Sequence, residues 1–142
     1  MVNVFFGSYS RNLDPKGRLM LPRELGIAPG ETLYVMKGFE GCLSIYREDD
    51  FQDALKKLSE LSYTDPDNRA YVRLAASSMK KLPIDSVGRV LLGKDTLKDY
   101  AIGKEVTLIG VIDHLELWDA SAYASYLLQN GRNYEALAER SH

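Results

Sequence analysis

One motif occurs twice, and the copies stand half a chain apart. Asn12-Leu13-Asp14-Pro15-Lys16-Gly17-Arg18-Leu19-Met20-Leu21-Pro22 is matched by Pro83-Ile84-Asp85-Ser86-Val87-Gly88-Arg89-Val90-Leu91-Leu92-Gly93. Both read apolar-Asp-x-x-Gly-Arg and then three apolar residues, with Asp14 and Asp85 71 residues apart in a chain of 142. The likeness continues: residues 38–46 align with 110–118 at an offset of 72, and Phe51 aligns with Tyr123 at the same offset. Such a chain is expected to fold as a duplicated half-domain. Each half reads turn, strand, short helix or turn, strand, hairpin, strand, helix.

Within the motif each residue type serves a turn. An aspartate at the turn start accepts from backbone N–H groups two residues on. Pro15 pre-sets its φ, while Gly17 and Gly88 permit a positive φ. The apolar run after each arginine reads as a short buried strand. A carboxylate and a guanidinium at this spacing can close across the turn or across a subunit boundary. Asp14–Arg18 and Asp85–Arg89 therefore read as structural clips. A guanidinium held at a turn also suits phosphate or the O6/N7 edge of guanine. The motif leaves both roles open.

Along the chain, residues 3–9 read as a strand with Gly7 as a bulge, followed by strands at 18–21, 32–37 and 42–46. A helix is expected from Asp49 or Asp50, with Asp49 and Gln52 spaced as a capping box and Phe51, Leu55, Leu58 and Leu61 as its buried stripe. Pro66 opens a second helix, capped by Thr64 or Asp65, with Tyr71, Leu74, Ala75 and Ser78 facing inward. The second half predicts a short helix at 95–100 and strands at 105–109 and 115–118. A longer helix from Asp119 or Ser121 then follows, with Tyr123, Leu127 and Leu128 inward. Tyr134, Leu137 and Ala138 mark a last helical segment.

The net charge of −2 argues mildly against nucleic acid, but its distribution does not. Residues 11–24 hold Arg11, Lys16, Arg18 and Arg23 against Asp14 and Glu24. Residues 69–94 hold six basic residues against Asp85 alone. Positive charge thus gathers around the two repeated turns, as an electrostatic footprint requires, although ordinary solvated surfaces also scatter charge on this scale. No run of 18 apolar residues suggests a membrane span. Residues 1–6 lack the basic start of a signal peptide, and the single cysteine, Cys42, excludes an internal disulfide. These features predict a cytoplasmic protein.

The chain holds no glycine-rich phosphate loop, no Gly-x-Ser-x-Gly and no His-Glu-x-x-His. Cys42 and His114 fall at matching repeat positions, but one of each does not make a zinc site. Asp113-His114 is unaccompanied by a recognisable nucleophile. The expectation is no enzyme, no cofactor, no metal and no small-molecule substrate.

The segments Gly7-Ser8-Tyr9 and 12–19, with the second motif at 85–90, resemble the MraZ family, bacterial transcriptional regulators of the division and cell wall gene cluster. The resemblance spans almost the whole chain. It implies an α+β fold of two tandem swapped-hairpin, AbrB-like halves, at residues 1–78 and 79–142. These would form a pseudo-twofold, β-barrel-like core with helices following each half. It implies ring-shaped homo-oligomers, nucleoid-associated, binding double-stranded DNA at short direct repeats upstream of their own operon. Arg18 matches the arginine the family uses on DNA, and Lys16 and Arg11 lie beside it. Arg89 matches the second motif's arginine, on DNA or structural. Asp14, Gly17, Asp85 and Gly88 match the residues that shape the turns. Pro15 departs from the small or polar residue of many members and should stiffen the loop. The competing reading is a protein-interaction or scaffold ring, or an antitoxin-like partner binder, in which the Asp-x-x-x-Arg motifs are only subunit clips.

Overall fold

The structure, a computed structural model, describes residues 4–142. Residues 1–3, part of the expected strand at 3–9 and of the leader reading, lie outside the described residues; within them that strand is shifted to Ser8–Asn12, and Phe5 makes only an isolated bridge to Ile112. The first half holds β1 (Ser8–Asn12), β2 (Arg18–Met20), β3 (Thr32–Lys37), β4 (Leu43–Tyr46), α1 (Glu48–Ser59) and α2 (Pro66–Ser78). The second holds β5 (Lys80–Pro83), β6 (Arg89–Leu91), α3 (Lys94–Asp99), β7 (Glu105–Gly110), β8 (Leu115–Asp119), α4 (Ala120–Asn130) and α5 (Tyr134–Arg140).

Six strands form one antiparallel sheet in the order β1-β7-β8-β4-β3-β5, and β2 and β6 pair as a separate two-stranded ribbon. Duplication explains this order. Exchanging each strand with its counterpart in the other half returns the same order read backwards. Equivalent residues meet on the pseudo-twofold axis: Ser44 pairs with Glu116 between β4 and β8, and Leu19 with Val90 in the ribbon. Each half lends its first strands to the other, β1 to β7 and β5 to β3. This is the swapped-hairpin arrangement. The core does not close as a barrel. Strands β1 and β5 remain the two edges of the sheet, because β2 and β6 pair with each other and add no ladder to either edge.

Two layers cover the sheet. On one face Leu19, Leu21, Val90 and Leu92 from the ribbon segments join Leu33, Val35, Ile45, Val106, Leu108, Leu115 and Leu117 in a single buried cluster. On the other, Phe51 of α1 stacks on Tyr34 with centroids 4.5 Å apart, and Trp118 receives Tyr123 and Tyr126 of α4. Apolar burial of this kind is the main stabilising contribution.

Local expectations fare unevenly. Asp65 caps α2, accepting from the Asp67 and Asn68 N–H groups at 2.8 and 3.4 Å, with Pro66 next. The capping box at Asp49 does not form: α1 starts at Glu48, and its acidic first turn (Glu48, Asp49, Asp50) faces the helix dipole instead. The inward stripes are also narrower than the apolar spacing suggests. In α2 only Ala75 is buried, while Tyr71 and Leu74 are exposed. In α4 Leu127 and Leu128 are exposed, because the helix meets the sheet through its tyrosines. Leu61 lies beyond the end of α1, at its exposed margin.

Candidate nucleic-acid interface

The two turns are built alike. Asp14 Oδ1 accepts from the backbone N–H groups of Lys16 and Arg18, both at 2.9 Å, and Oδ2 accepts from Arg18 Nε at 2.5 Å. Asp85 repeats this with Val87 N at 3.1 Å, Arg89 N at 2.8 Å and Arg89 Nε at 2.8 Å. Gly17 and Gly88 sit at φ +78° and +89°, a region costly for any residue with a Cβ. Their N–H groups close onto Asp14 O and Asp85 O. Each turn also grips the other half: Leu92 N–H donates to Gly17 O and Leu21 N–H to Gly88 O. The bonds donated by the arginine backbone N–H lead in holding Asp14 and Asp85 below the ordinary carboxylate range, against partial desolvation.

Both carboxylate–guanidinium pairs close inside their own turns. The carboxylate engages only Nε. Among the described residues the terminal Nη1 and Nη2 atoms of Arg18 and Arg89 have no hydrogen-bond partner. Each guanidinium is thus oriented by one edge with its two-nitrogen end unspent. Both side chains are partly exposed, at 29% and 31%.

The ribbon puts the two arginines on one surface. Arg18 lies opposite Leu91 and Arg89 opposite Met20. Side chains alternate across a strand, and directly opposed residues share a face. Leu19 and Val90, each 0% exposed, point into the core. Arg18, Met20, Arg89 and Leu91 therefore form the outer face. The post-arginine runs are not the wholly buried strands that the sequence suggests: Met20 is 46% and Leu91 57% exposed. Sequence reasoning missed these two positions because the run is apolar on both faces. The period of two was hidden until the pairing partner was known.

Lys16 is exposed at the tip of the first turn, where Val87 holds the equivalent place in the second. Arg11 stands apart from the ribbon, on edge strand β1. Its Nη1 donates to Ser10 O at 2.8 Å, and its guanidinium lies 5.9 Å from the Tyr9 ring centroid. The structure thus brings Arg18, Arg89 and Lys16 onto the ribbon and its turns, and leaves Arg11 apart on β1.

Elsewhere, Cys42 is buried and its thiol is pushed up to about 12, chiefly by desolvation and then by Glu116. That is a poor nucleophile. His114 bonds Asp113 at 2.7 Å and stacks on Tyr46 with centroids 4.8 Å apart. Among the described residues no group of three or more His, Cys, Asp or Glu could hold a metal ion. Among those residues, too, no helix is long and apolar enough to cross a membrane.

Comparison with known proteins agrees with this duplicated architecture. The family model described as "MraZ protein, putative antitoxin-like" matches residues 4–74 and again residues 77–141. The chain belongs to the MraZ family. Its relatives include the protein named "Transcriptional regulator MraZ" of Mycoplasmoides gallisepticum, 35% identical over 136 residues and 96% of each chain. That of Acetivibrio thermocellus is 33% identical over 138 residues, again 96% of each. That of Corynebacterium jeikeium is 38% identical over 132 residues and 92% of each. The two MraZ matches correspond to the two sets of strands that exchange across the pseudo-twofold axis.

Proposed function

We propose that this MraZ-family chain is a transcriptional regulator that binds DNA sequence-specifically through the β2/β6 ribbon. In this reading it acts in the cytoplasm, at the nucleoid, as a ring-shaped homo-oligomer. Its target would be short direct repeats upstream of its own gene in the division and cell wall cluster. The observation that carries the reading is the outer face of the ribbon, where Arg18 and Arg89 each keep a two-nitrogen end unspent. A two-stranded ribbon fits the major groove, and arginine pairs bidentately with guanine O6 and N7. The relatives' shared name supports the regulatory role.

Lys16 at the first tip and Arg11 on β1 would contact phosphate, fixing position without choosing sequence. Residues 1–78 and 79–142 would be the two duplicated units, so each protomer offers one ribbon. One ribbon makes few contacts. A ring that offers the same ribbon to successive repeats gains effective concentration without new contacts. Exposed apolar residues on the C-terminal helices, Leu128 and Tyr134 at 74% and 77%, would supply contacts between copies.

Gel shifts on the DNA upstream of its own gene test this. Arg18→Ala should weaken binding by about tenfold or more for each engaged ribbon. The variant should keep the oligomer seen in size-exclusion chromatography. Full specific affinity with the oligomer intact would refute the role of Arg18. The competing reading, a protein-interaction ring in which the motifs are only subunit clips, requires Arg18→Ala to break the oligomer. It fits less well, because both pairs close within their own turns.

A further inference from the structure

The outer face of the ribbon carries two large apolar side chains that the fold does not use. Met20 and Leu91 are equivalent positions of the duplication, 71 residues apart, and both are about half exposed. Their strand neighbours Leu19 and Val90 fill the core position completely, so rotation of the strand cannot hide Met20 or Leu91 without exposing those two. Each stands directly across from an arginine, Met20 from Arg89 and Leu91 from Arg18. Two residues along a strand span about 6.8 Å, roughly two base-pair steps. An apolar residue therefore sits next to each guanidinium, within about two base-pair steps of it.

We propose that Met20 and Leu91 are specificity-determining residues that read the C5-methyl groups of thymines flanking the guanines engaged by Arg18 and Arg89. The inference rests on the DNA-binding reading above. Its chemistry is complementary on one surface: cationic forks for a polyanion with acceptor edges, and apolar side chains for the one apolar substituent in the major groove. Methionine, unbranched and polarizable, adapts to such a methyl group.

The test compares a duplex from immediately upstream of the protein's own coding sequence with the same duplex carrying uracil for every thymine. The native chain should bind the uracil duplex more weakly, by about fourfold for each thymine methyl that Met20 or Leu91 would have covered. The Met20→Ala/Leu91→Ala variant, altered only at exposed positions, should bind both duplexes equally and keep its oligomeric size. Equal binding by the native chain, with Arg18→Ala still defective, overturns the methyl readout and leaves the DNA reading standing. Discrimination that persists in the double variant, or a changed oligomer, also overturns it. Failure of the native chain to bind either duplex overturns both readings.

Discussion

Leu19 and Met20 are neighbours in β2, yet truncating them should differ sharply in cost. Leu19 is 0% exposed beneath the ribbon, and Met20 is 46% exposed on top of it. Leu19→Ala removes three carbons from a packed site, about 2.4 kcal/mol in transfer free energy at ~0.8 per carbon. The cavity left behind raises the loss to about 3–4 kcal/mol. With an unfolding entropy of about 2.1 cal/mol/K per residue, that lowers Tm by roughly 10 °C. Met20→Ala, by contrast, should stay within about 0.5 kcal/mol. Trp118, the single tryptophan and 4% exposed, reports unfolding by fluorescence. Both variants are melted at one protein concentration, because self-association shifts Tm. Equal losses would refute the alternation of the ribbon, and with it the outward placement of Arg18 and Arg89.

Two further outcomes follow from the site chemistry. Cys42, buried and with its thiol near 12, should stay inert to a disulfide reagent at pH 8 and react at the rate of unfolding. Rapid labelling of the native chain would contradict its burial. Asp14, Asp85 and Asp119 all titrate below their ordinary value of 3.8 when folded. A depressed folded pKa stabilises the native state above the unfolded value, and that stability is lost as pH falls through the folded one. Stability should therefore drop below about pH 4, and less steeply in Asp85→Asn. An unchanged slope in acid melts would remove Asp85 from that account.

Much of this molecule is legible from residue order. The duplication predicts two equivalent halves, and Asp-x-x-Gly-Arg predicts a closed turn, because aspartate, glycine and the arginine N–H have local partners within four residues. Asp65-Pro66 predicts the start of α2 for the same reason. Such features depend on neighbours in the chain. Which faces are buried does not. Tyr71, Leu74, Leu127 and Leu128 carry helical apolar spacing, yet stay exposed because a sheet face covers only part of each helix. The barrel-like closure expected of two AbrB-like halves gives way to an open sheet, because β2 and β6 pair with each other and leave β1 and β5 as edges.

Residue order alone specifies two turns with an arginine in each. The pairing of β2 with β6, in a register that sets Leu19 against Val90, arises from the folded chain. That pairing joins segments about 71 residues apart through backbone hydrogen bonds, which nearly any residue except proline permits, so no local pattern announces it. It alone makes one surface of Arg18, Met20, Arg89 and Leu91, because a strand shows its side chains to opposite faces and a shift of one residue would bury this set.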